Sequence, residues 1–174
     1  MTTTSQIPAV TDYLVAACQA SSLLGAASTA VIVFDGPNLT TDTLAEPLHL
    51  WIGYDAKSSS ADEAGAEATQ AFATGFDQGR NRDEDGEIVC TADAWGGGKT
   101  LKTYRDQAAG IVAGVELLLR GLPQTGGPGD ASMGGLCLWS GVAGPFAWYP
   151  RQTQNGAGMG VTFRVNYRAR LTTS

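Results

Sequence analysis

Apolar and polar positions alternate most completely over 161–171, where Val161, Phe163, Val165, Tyr167, Ala169 and Leu171 interleave with Thr162, Arg164, Asn166, Arg168 and Arg170. This period of two predicts a strand with one face on a core and the other open to solvent or another chain. A helical period stands in its place from Leu101: Tyr104, Ala108, Ile111, Val112, Val115, Leu118 and Leu119 continue one stripe, with Lys102, Arg105, Asp106, Gln107 and Glu116 mostly opposite. Thr103 and Asp106 offer a capping pair, and Gly121 with Pro123 ends the run. Ile7, Val10, Leu14, Ala17, Cys18 and Ser21 predict a second helix over 8–24, with Pro8 in its first turn and Gly25 as its stop.

Shorter β-branched and aromatic runs predict strands at 30–34, 47–54, 69–76 and 87–94, and extended segments at 136–139 and, after a bend at Gly144-Pro145, through Trp148. Polar stretches separate them. Residues 56–67 and the Gly-rich 124–135 read as loops, and 77–86 (DQGRNRDEDG) reads as a charged tip between two strands, projecting into water or toward a partner. Together these elements predict an α+β fold in a single domain over 1–174: a mostly antiparallel sheet packed with two main helices and joined by long Gly-rich loops.

At 174 residues, 43% hydrophobic and 16% charged, the chain is long and apolar enough for one globular core. A net charge of -6 argues against wrapping nucleic acid, which needs clustered Lys and Arg. No apolar run approaches the roughly 18 residues of a membrane span, and MTTTSQIPAV lacks the pattern of a signal peptide, so the protein is expected to stay inside a cell, off membranes. Cys18, Cys90 and Cys137 are dispersed among apolar residues, which predicts buried thiols and neither a disulfide framework nor a zinc site. His49, the only histidine, is expected to pack on its strand, and no metal or cofactor site is expected.

WGGGKT, at 95–100, suggests a phosphate-binding loop. A G-x-x-x-x-G-K-[ST] loop would need its first glycine at Asp93, however, and a carboxylate there repels the phosphate it should help to bind. The carboxylates of 83–85 lie in a hydrophilic tip, where nothing would raise a pKa for acid–base work. Arg164, Arg168 and Arg170 form a basic strip that is either solvated, in contact with nucleic acid, or paired with acidic loops such as 83–85 of a neighbouring subunit. With no catalytic constellation, Arg80, Arg82, Asp83, Glu84 and Asp85 of the tip join these three arginines as candidate inter-subunit contacts.

The chain orders a short helix, VIVFDGP, LWIGYD, RDEDGEIVCTADAWGGG, the helix RDQAAGIVAGVELLLRG, GGLCLWSGV and QTQNGAGMGVTFRVNYRARLTT. This order, over about residues 10–173, resembles the tail terminator proteins of long-tailed bacteriophages, especially actinobacterial phages. The resemblance implies a hexameric ring that caps the head-proximal end of the tail tube, stops subunit addition and offers a surface for head–tail joining. It implies as partners other copies of the chain, the tail tube protein and a head-completion or neck protein, with DNA passing through the channel without sequence-specific binding. The implied place is the virion tail, assembled in the host cytoplasm, and the implied work is binding and not catalysis. Another neck or tail-completion protein or a tail tube subunit is the nearest alternative, and a small enzyme with an acidic or nucleotide site is the alternative from a different class.

Overall fold

A computed structural model describes residues 4–25, 31–37, 48–55, 65–72, 81–97, 100–120, 130–154 and 156–171. In chain order its elements are α1 (Ile7–Ala20), α2 (Ser22–Gly25), β1 (Ile32–Asp35), β2 (Leu48–Ile52), β3 (Ala66–Phe72), β4 (Arg82–Gly96), α3 (Leu101–Arg120), β5 (Trp139–Thr153) and β6 (Gly156–Leu171). The strands form one six-stranded sheet in the order β1-β2-β4-β6-β5, with β3 also pairing β4. Only β1 and β2 run parallel; the other pairs are antiparallel. Because β6 pairs β4 along 82–96, β2 and β3 share the opposite edge of β4, against 90–94 and 82–88 respectively. The α+β fold and its mostly antiparallel sheet stand as the residue pattern predicts.

The period-two segment is the core-facing strand β6, and its apolar set Val161, Phe163, Val165, Tyr167 and Ala169 is fully buried. Beside it on the same face lie Ile88, Cys90, Ala92 and Ala94 of β4 and Leu50 and Ile52 of β2, as the register requires. The stripe of α3 (Tyr104, Ala108, Ile111, Val115, Leu118) and that of α1 (Val10, Leu14, Ala17, Cys18) join this cluster. Each buried aliphatic side chain contributes about 1.5–3 kcal/mol, so this one-sided layer holds the sheet and helices together. No helix among the described residues is long and apolar enough to cross a membrane. The three thiols are buried and free, and burial pushes Cys18 up to about 12 and Cys137 up to about 11.

Four expectations need correction. The charged tip at 77–86 is strand from Arg82 onward, and β4 begins five residues before the expected Glu87; Arg80 lies outside the described residues. Asp83 and Asp85 take the strand conformation because Arg170 and Arg168 stand directly across on β6. Likewise β3 begins at Ala66, inside the expected loop 56–67, of which 56–64 lie outside the described residues. The α3 cap is Thr100, whose Oγ1 accepts the Thr103 amide at 3.4 Å, while Asp106 pairs with Lys102 one turn back and not with Thr103. The predicted helix over 8–24 breaks at Ser21, whose extended backbone (ψ 125°) separates α1 from α2.

Candidate functional site

Pleating sorts the charged residues of β4 and β6 onto two faces. On the face away from the helices, Asp83 sits across from Arg170, Asp85 from Arg168 and Glu87 from Asn166. Arg170 donates to both Asp83 oxygens at 2.8 and 3.2 Å, and Arg168 reaches Asp83 at 3.2 Å and Asp85 at 3.7 Å. Arg164 donates to Glu87 at 2.5 Å. The Arg170 hydrogen bond, with Arg168 behind it, holds the Asp83 carboxyl below its ordinary range. Five of the eight candidate contact residues (Asp83, Asp85, Arg164, Arg168, Arg170) therefore do share one surface, but each is ion-paired within its own chain. Such half-exposed pairs add little stability; they leave the face locally neutral.

Glu84 turns the other way and is 0% exposed. Its carboxylate accepts from Tyr167 Oη at 2.8 Å, the Gln6 amide at 2.9 Å and Gln70 Nε2 at 2.6 Å. Burial alone would raise its pKa, but the hydrogen bonds from Tyr167, Gln6, Gln70 and Ser5 outweigh it and hold the carboxyl below its usual value. Tyr167 moves up, by burial first and by Glu84 second. Gly86 makes the arrangement possible, since a Cβ there would overlap the Tyr167 ring. Glu84 thus pins the start of α1 to the sheet and has no face to offer a neighbour. Arg82, on the same side, donates to Gln70 at 2.9 Å.

Beside the ion-pair ladder lies an open depression of about 440 Å³, walled by Glu67, Thr69, Asp85, Glu87, Asn166 and Trp139. Asn166 Oδ1 is buried in it without a hydrogen-bond partner among the described residues. Neither the depression nor Trp139 figured among the sequence candidates, because its walls come from β3, β4, β6 and β5 and meet only through sheet register. No group of three or more His, Cys, Asp or Glu is placed to hold a metal ion among the described residues.

At the far end of the same face His49, Trp51, Thr91, Asp93 and Thr162 are buried. His49 packs against both Phe34 and Trp51, with ring centroids 5.9 and 5.2 Å away, and those two rings also meet each other at 5.9 Å. Asp93 pairs with Arg151, whose guanidinium also lies 5.8 Å over the Trp95 ring. Burial pushes the Asp93 carboxyl up, and Arg151 pulls it partly back. The residue that occupies the phosphate-loop glycine position is therefore a sealed strand carboxylate; Gly98 and Lys99 lie outside the described residues.

Exposed apolar side chains lie on both faces of the edge strand β5 and its approach: Trp139 (47% exposed) on the face of Arg168 and Trp148 (42%) on that of Val161, with Leu138 at 56% and Phe146 at 47%, while Phe72 of β3 is 75% exposed. Only the aromatic content of 138–148 signals this edge in the sequence, because the segment lacks the strict alternation of β6. A bulge at Ala143/Ala147, spanning the cis Gly144-Pro145 bond, divides the strand where the sequence suggests a bend. Among the described residues, β5 thus offers exposed apolar side chains for contact, next to a charge ladder already closed within the chain. No family model matches the chain, and no curated protein matches it.

Proposed function

We propose that the chain is a structural assembly protein of a long-tailed bacteriophage, a tail terminator whose copies form a ring on the head-proximal end of the tail tube. The ring stops tube growth and gives the head or its neck protein a surface to join, while DNA slides through without sequence-specific binding. One observation carries the reading: the large apolar side chains Leu138, Trp139, Phe146 and Trp148 are exposed along the sheet edge. Exposed apolar patches of this kind mark protein–protein contacts, and tryptophan is enriched among the residues that dominate them. The resemblance in element order supports the same reading.

Immunogold labelling of particles tests it, with one site of label expected at the head-proximal end of each tail. Label along the whole tail would make the chain a tube subunit, and label absent from virions would overturn the proposal. ATP with Mg²⁺ at millimolar concentration is expected to leave the melting temperature unchanged. A rise would favour the enzyme reading, since a ligand bound only by the folded state must stabilise it.

A further inference from the structure

Among the described residues β5 bonds only to β6 on one side of the sheet, while on the other β3 bonds only to β4 and the short β1 only to β2. An unpaired edge is a row of free N–H and C=O groups, a template for another strand, and proteins usually guard it with charge, proline or a bulge. On β5 such guards occupy only the second half, where the bulge, Pro145, Pro150 and Arg151 lie. Residues 138–143 (LWSGVA) carry no charge and no proline. β3 carries a single charge, Glu67, and no proline; it pairs on one side only, and Glu67, Ala68, Thr69, Ala71 and Phe72 are exposed, Phe72 by 75%.

These two segments stand at the same height across the sheet. The register runs Thr69, Asp85, Arg168, Trp139 along one row and Glu67, Glu87, Asn166, Gly141 along the next. Three successive antiparallel pairings separate β3 from β5, so the two strands point in opposite directions. A second copy set beside the first in the same orientation would present its β3 antiparallel to β5, continuing the alternation.

We propose that copies of this chain join head to tail by pairing residues 138–143 of one β5 with the β3 of the next. The contact is heterologous, so it closes into a ring when the rotation per copy divides a full turn. Trp139 would be buried at the junction, across from Thr69 of the next copy, and the prolines of β5 would stop the pairing from running further along the strand. The inference rests on the ring reading in taking another copy as the occupant.

Cysteine cross-linking tests it. In Glu67→Cys/Gly141→Cys the two positions within one chain are three strand spacings apart, about 14 Å, beyond the roughly 7 Å that a disulfide spans between Cα atoms. Any bond between them must therefore join two chains. Glu67 is exposed, a Cβ at Gly141 meets nothing within 4 Å, and the native thiols are buried. Mild oxidation should give a ladder of multimers ending in one closed species, while each single variant gives none. Trp139→Lys should weaken self-association at least about tenfold with the unfolding midpoint unchanged. Dimers from Gly141→Cys alone would mean two-fold β5–β5 pairing and overturn the proposal, as would a folded double variant that stays uncross-linked. Cross-linking by a protein absent from tail ends would overturn the tail function and leave the pairing intact. A protein found at tail ends but not cross-linked would overturn the pairing alone.

Discussion

Ile88 and Glu84 lie on the same face of β4 and both are fully buried, yet their surroundings have nothing in common. From Ile88 on, Cys90, Ala92 and Ala94 meet the apolar stripes of the helices, where any well-fitting hydrophobe lowers the free energy. Before it, Glu84 survives only because Tyr167, Gln6 and Gln70 all donate to it. One half of the strand is stabilised by exclusion of water, and the other depends on a complete set of donors.

The largest effect should therefore fall in the polar half. Glu84→Ala leaves a cavity and three donors without an acceptor, and should cost about 4 kcal/mol in urea unfolding. Ile88→Ala should cost about 3 kcal/mol. If Glu84→Ala instead costs less than about 1 kcal/mol, water replaces the carboxylate and the two halves are equivalent. Gly86→Ala should cost about 2 kcal/mol, because its Cβ forces the Tyr167 ring aside.

Acid titration separates the regions by sign. The folded pKa of Glu84 lies below its ordinary 4.5, so its stabilisation is complete above that pH and is lost as pH falls through the folded value. Asp93 is displaced upward, so its contribution is fully present below its ordinary 3.8 and fades as pH rises through the folded value. Unfolding midpoints across this range should show Glu84→Gln flattening the acid loss. Asp93→Asn should gain on the parent as pH rises, and an opposite trend in either variant would contradict the burial described. Smallest of all should be Asp83→Asn, which removes the charge facing the half-exposed Arg168 and Arg170; its midpoint should stay near that of the parent, with the difference shrinking at high salt.

The elements that the residue pattern reveals are those whose period repeats within a window: α3 over 101–120 and β6 from Val161. The early part of β6 is hidden because Gly156, Gly158 and Gly160 break the alternation, although two of them leave room for neighbours, Gly96 at Gly156 and Trp95 at Gly158. The charged half of β4 is hidden for a different reason. RDEDG has the composition of a turn, and the partners that make it a strand, Arg168 and Arg170, lie more than 80 positions away. Among the ionic candidates, composition suggested the acidic residues 83–85 as partners for the arginines, but only register shows that Asp83 and Asp85 meet Arg168 and Arg170 within one chain while Glu84 faces the other way. The aromatic edge and the depression are properties of strand order, and no local pattern encodes strand order.

That order has a consequence for synthesis. β6 follows β4 and β5 in the chain and inserts between them. Until it arrives, β4 lacks its longest partner and β5 has no partner strand among the described residues, so the edge on which a neighbouring copy would dock is not yet in place. On the proposed pairing, a nascent chain cannot join a neighbouring copy before β6, its own central strand, has been made.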